Sequence, residues 1–175
     1  SDVYKRQVRE GLEDPIEVEV IRDVIKLTAA KVRIDDDIVI MRVTTFNEQT
    51  IPNLEDGMKA TLKKTGVNQP KGFVLDLRNN PGGLLSVAIS VTDLFLDQGE
   101  IVSTRDREGK GERYKASKGD IANGKPLIIL INAGSASASE IVAGALQDHQ
   151  RAIVLGTKSF GKGLSLIHIS EPTRP

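Results

Sequence analysis

The sequence predicts an α/β layer structure, and three observations predict it. Apolar runs at Phe73-Val74-Leu75 and from Leu127 to Ile131 read as short buried strands. Apolar stripes of helical period lie between and after them. The resulting order is strand, helix, strand, helix, strand, which favours helices layered on a largely parallel sheet.

Each element follows from its own residues. Ile16 to Val20 alternates apolar and acidic residues after the turn signal Asp14-Pro15, the pattern of a half-buried strand. Lys31 to Val43 predicts one or two strands around the acidic turn Asp35-Asp36-Asp37. A helix is expected from about Pro52 to Lys64, capped by Thr50 or Asn53 and closed by Gly66, with Leu54, Met58 and Leu62 facing the core. The strand Phe73 to Leu77 is apolar on both faces except for Asp76. Arg78 to Gly83 is too rich in breakers for regular structure. A second helix, about Leu84 to Leu96, carries Val87, Ala88, Val91, Leu94 and Phe95 on one stripe. Thr104 to Asn123 is a polar hairpin or surface segment. A strand from Pro126 to Ile131, a helix marked by Ala138, Ile141, Val142 and Ala145, and a strand from Ala152 to Leu155 complete the series.

Composition narrows the chemistry. Apolar residues make up 39% of the 175 and aromatic residues 3%, so the core must rest on aliphatic side chains. Twenty-four basic and 24 acidic residues leave no excess charge to attract nucleic acid or anionic lipid, and nucleic-acid binding is not expected. Without cysteine there are no disulfides, thiolate nucleophiles or cysteine metal sites. Two histidines, His149 and His168, are too few for a histidine-rich metal centre. No run of about 18 apolar residues suggests a membrane span. Ser1 to Gln7 and Ser165 to Pro175 match no periodicity of their neighbours and resemble translated sequencing-adapter tails. The expected protein therefore runs from about Val8 to Leu164.

Three loops follow the carboxyl ends of predicted strands, where ligands of α/β sheets gather: 76–83, 132–140 and 156–163. The middle one offers Ser135, Ser137 and Ser139 at a helix start, where backbone N–H groups and the helix dipole favour developing negative charge. The same residues also make ordinary caps. A serine nucleophile needs a base. His149 lies about 18 Å along the same helix from Ser137, out of reach, and His168 lies in the suspected tail. Lys162 remains, between two glycines, and it would act only if burial without a carboxylate partner held it neutral. Gly156 to Gly163 also approaches the phosphate-loop pattern G-x-x-x-x-G-K, but Gly163 stands where a Mg²⁺-binding hydroxyl belongs.

Asn132 to Leu146, Phe160-Gly161-Lys162-Gly163 and Asp76 to Gly83 together resemble the nucleophile, lysine and oxyanion-loop segments of the C-terminal processing peptidases. Phe46-Asn47-Glu48 is similar to the segment that opens their protease core. The resemblance implies a ClpP/crotonase-like layered protease core at 25–164, preceded at 8–24 by remnant strands of a PDZ domain. It implies Ser137 as nucleophile, Lys162 as general base, and the backbone N–H groups of Gly83 and Ala138 as the oxyanion hole, with no cofactor and no metal. Ser135 and Ser139 become turn and cap, and Asp76 an anchor for Arg78 or the loop backbone. Substrates would be proteins or peptides with apolar C-termini, cleaved in the cell envelope with peripheral membrane association open. The family's lysine-orienting glutamine is replaced by Leu166 inside the suspected tail, so the fragment itself is expected to be inactive. A noncatalytic scaffold or peptide-binding module, a phosphate-loop nucleotidase (weakened by Gly163) and a crotonase-like hydratase are the alternatives.

Overall fold

The structure, a computed structural model, describes residues 3–20, 28–66, 69–105 and 111–162. Its centre is a five-stranded sheet in the order β3-β4-β5-β8-β9. The strands are β3 (Ala30–Asp35), β4 (Ile38–Val43), β5 (Gly72–Asp76), β8 (Leu127–Ile131) and β9 (Ile153–Gly156). β3 and β4 form an antiparallel hairpin, whose turn places Asp36 at φ 51°. From β4 onward every pairing is parallel. Two small antiparallel sheets stand apart, β1 (Val3–Gln7) with β2 (Ile16–Val20) and β6 (Glu100–Ser103) with β7 (Arg113–Lys115).

The parallel strands follow one another in sequence across the sheet, so right-handed crossovers put their helices on the same face. These are α1 (Thr50–Thr65), α2 (Leu85–Asp93) and α3 (Ala138–Asp148). Beneath them Val39, Met41, Val43, Leu75, Leu77 and Ile129 are fully buried, packed with Val91, Val142 and Leu146. The other face carries the register row Ile40, Val74, Ile128 and Ile153. Ile153 is 64% exposed there. The expectation of strands buried on both faces is therefore corrected, because the helices cover one. The ClpP/crotonase-like layered core is corrected with it: the sheet is mixed, with an antiparallel hairpin at its edge.

Local signals placed most helices well and their caps less so. α1 ends as expected at Gly66, in the left-handed conformation with its N–H on the Leu62 carbonyl. Its N-cap is Gln49, since the expected caps are used elsewhere. Thr50 donates to the Thr45 carbonyl at 3.1 Å and accepts the Asn47 N–H. Asn53 accepts the N–H of Ala29 at 2.9 Å. Both tie the helix to the loops around β3 and β4.

Residues 3–7, expected to be a tail, pair in register with 16–20, the strand assigned to a PDZ remnant. The linker expected at 24–30 lies largely outside the described residues, as do Gly163 and the whole tail 165–175. No helix among the described residues is long and apolar enough to cross a membrane.

Candidate active site

All three loops meet at the carboxyl end of the sheet. The loop after β5 is anchored first. Asp76, 6% exposed, accepts Arg42 Nη1 at 2.7 Å and Arg78 through its N–H, Nε and Nη2. Burial pushes this carboxyl up, but the hydrogen bonds from Arg78 and Arg42 outweigh it and hold it at about 2. Asp76 thus takes the anchoring role expected of it. Asn80 is fully buried: its amide donates to the Val43 carbonyl at 3.0 Å, and its side-chain oxygen accepts the Gly82 N–H at 2.9 Å.

The loop after β8 is pinned onto this one by its small residues. Ser135 donates its buried hydroxyl to the Leu77 carbonyl at 2.8 Å, and Ser139 donates to the Asn80 carbonyl at 2.9 Å. The Ala136 N–H reaches the same Asn80 carbonyl at 3.0 Å. Ser135 is the turn residue expected. Ser139 is not a cap; it sits inside α3 and holds the neighbouring loop.

The N-cap of α3 is Ser137 itself, half-buried, at φ 55° and ψ −113°. A non-glycine residue in that region is strained, and such strain gathers at functional sites. The N–H of Ala138 behind it, and that of Gly83 opposite, have no hydrogen-bond partner among the described residues. Gly82 packs against the serine turn so tightly that a Cβ there would lie 3.0 Å from the Ala138 nitrogen. Two open amides thus flank the turn that carries the strained serine.

The third loop joins through main-chain bonds. Phe160 N–H donates to the Ser135 carbonyl at 2.9 Å. Ser137 and Lys162 both donate their N–H groups to one carboxylate oxygen, Oε2 of Glu140, at 2.8 and 3.1 Å. That shared acceptor brings the two backbones within about 6 Å of one another. Burial was the condition for Lys162 to act as a base, and its side chain is not buried. Its amine has no partner among the described residues.

His149 caps the far end of α3 and shares a 2.7 Å contact with the Glu100 carbonyl, away from Ser137. A cavity of about 750 Å³ lies between α1 and the 121–125 segment, lined by Leu54, Met58, Phe73 and Lys125. It opens at the amino end of β5, opposite the three loops, and contains no nucleophile paired with a base.

Sequence reasoning passed over Asn80 and Glu140. A glutamate three residues after a helix-capping serine reads as a routine capping box. An asparagine in a breaker-rich loop reads as a turn.

This sheet and these loops belong to a recognisable class, the carboxy-terminal-processing peptidases. The sequence pattern of peptidase family S41 matches residues 37–168, and the chain belongs to that family. It is 53% identical over 156 residues to a carboxy-terminal-processing protease of Bartonella bacilliformis, covering 89% of this chain and 36% of that protein. It matches the solved structure of a photosystem II D1 C-terminal processing protease with a TM-score of 0.67 at 28% identity, covering 93% of this chain and 45% of that one. A putative S41 protease from Bacteroides fragilis shares the fold at a TM-score of 0.57 and 20% identity, over 91% of this chain and 47% of that one. The architecture is that of S41 peptidases, which overturns the ClpP/crotonase-like assignment. The chain spans little more than a third of the length of the Bartonella protein.

Proposed function

We propose that the protein containing this chain is a serine endopeptidase that cuts protein substrates near or directed by apolar C-terminal tails, with Ser137 as nucleophile and Lys162 as general base. The observation that carries the reading is the shared Glu140 oxygen, which sets the serine turn and the lysine loop side by side. Membership of family S41 supports it.

The chemistry is acyl transfer. Neutral Lys162 takes the proton of the Ser137 hydroxyl, and the oxygen attacks the scissile carbonyl. The N–H groups of Gly83 and Ala138 hold the oxyanion, aided by the amino end of α3. Protonated Lys162 then gives its proton to the leaving amine, which departs as the acyl-enzyme forms. Water deacylates Ser137 by the same route. A peptide lying across the three loops would exclude water from Lys162.

In this reading the β1–β2 hairpin includes the end of a PDZ domain, which captures peptide termini by strand addition. The whole protein works in the cell envelope.

The test uses the full-length protein, an unfolded substrate with an apolar tail, and the variants Ser137→Ala and Lys162→Ala. Each is expected to lose about 10³-fold or more in kcat while still folding. Cleavage that survives either substitution overturns the dyad.

A further inference from the structure

The carboxylate of Glu140 joins the two loops that carry the proposed dyad. Its Oε1 accepts the Ser159 hydroxyl and the Gly161 N–H, both at 2.7 Å. Its Oε2 accepts the N–H groups of Ser137 and Lys162. Four donors converge on two oxygens, and three of them lie beyond α3 and β9 in the sequence.

We infer that Glu140 is a positioning residue: its carboxylate clamps the Lys162 loop to the strained Ser137 turn and so sets the separation of base and nucleophile. The inference rests on the Ser–Lys reading.

The chemistry of the site asks for a carboxylate in particular. An ionised carboxylate only accepts hydrogen bonds and has room for about four. Glutamine keeps one acceptor oxygen and turns the other into an NH₂ group facing two donors, so it would break two bonds and set donors against each other. Aspartate, one methylene shorter, could not span both loops. Burial pushes the Glu140 carboxyl up, but hydrogen bonds from Ser159, Ser137, Gly161 and Lys162 prevail and hold it below the usual carboxylate range. It is therefore charged at neutral pH, in the first turn of α3, where the helix dipole favours an anion.

The clamp also avoids a conflict with the base. A carboxylate paired directly with the Lys162 amine would keep that amine protonated. Glu140 instead holds the lysine by its backbone, and no ion pair joins the two among the described residues.

A plain capping role predicts something different. In a capping box glutamine serves as well as glutamate, and the bonds to 159, 161 and 162 would be incidental. The test therefore compares Glu140→Gln with the unsubstituted full-length protein, beside Ser137→Ala. Three quantities are measured: kcat and KM, the rate at which a fluorophosphonate labels Ser137, and amide hydrogen exchange across 159–162.

The clamp predicts that Glu140→Gln loses about 100-fold in kcat, as expected for a misplaced catalytic group, with KM little changed. Labelling should slow, and exchange at Gly161 and Lys162 should rise. Wild-type kcat and exchange in Glu140→Gln overturn the clamp and leave the dyad standing. Cleavage surviving in Ser137→Ala overturns the dyad and this inference with it. Should Glu140→Gln fail to fold, Ser159→Ala removes one donor to Oε1 and is expected to show the same changes in smaller measure; unchanged kcat and exchange there overturn the clamp.

Discussion

A methyl group on Gly82 would lie 2.9 Å from the Cβ of Ser137 and 2.8 Å from the Ala136 carbonyl oxygen. The glycine also sits at φ 104°, where other residues are strained. Both obstacles are backbone or the proposed nucleophile itself, so neither can rotate away. Gly82→Ala is expected to cost about 1–3 kcal/mol and to reduce cleavage even where the protein still folds. Urea unfolding and a peptide assay on the same preparation check this; wild-type activity would mean that the serine turn tolerates displacement.

Ser135 makes a similar case inside the second loop. Its fully buried hydroxyl bridges Leu77 and Asn132. Alanine there strands a buried carbonyl and an N–H, at about 1–3 kcal/mol. Ser90 serves as a control, since its hydroxyl bonds the Ser86 carbonyl on an exposed helix face. Ser90→Ala should stay within about 0.5 kcal/mol of wild type. Equal effects in denaturant titrations would contradict the pinning of one loop on the other.

Acid should release the first loop. Asp76 titrates at about 2 in the folded protein, below its ordinary value of 3.8. A lowered carboxyl pKa contributes stability that is complete above the unfolded value and is lost as the pH falls through the folded one. The contribution is thus full above about pH 4 and fades towards pH 2. Asp76→Asn is expected to be less stable at neutral pH by about 1–3 kcal/mol and to show a flatter loss of stability between those limits. Unfolding free energies measured from pH 7 to 2 test the sign: a wild-type slope in the variant would remove Asp76 from the account.

His149 supplies the opposite expectation. It caps α3 at the end remote from Ser137 and faces the Glu100 carbonyl. His149→Ala should leave kcat within about twofold and cost about 1 kcal/mol of stability, the loss of one hydrogen bond. A large fall in kcat with folding intact would reopen the search for the base.

Much of this arrangement was legible because its signals are local. Strand runs such as Leu127 to Ile131 and the stripe of α3 depend on neighbours a few residues away. The breaker-rich loop at 78–83 marks its own irregularity. Serines at a helix start and a lysine between glycines offered Ser135, Ser137, Ser139 and Lys162 as candidates, and only the resemblance to the C-terminal processing peptidases singled out Ser137 and implied the amides of Gly83 and Ala138.

What the sequence determined by itself, then, was the strands of the central sheet with their three helices, the three loops and the family they belong to, while β1 and β6 escaped it. The tertiary structure alone decided how those parts meet. Nothing local to Leu127–Ile131 says that every helix crosses on one face of the sheet; that follows from an unreversed strand order. Nothing local to Asp76 announces Arg42, which reaches it from the neighbouring strand because Arg42 and Asp76 share a register position. Asn53 and Ser139 looked like caps, yet each is used by a distant backbone group, and Thr50 is used by the loop just before its helix. Glu140 looked like the fourth residue of a capping box, and only the approach of the 159–162 loop turns its carboxylate into a junction. Propensity acts over one turn of helix or a few strand residues. Hydrogen-bond partners are assigned by whichever donors the packed sheet brings within about 3 Å, wherever they lie along the chain.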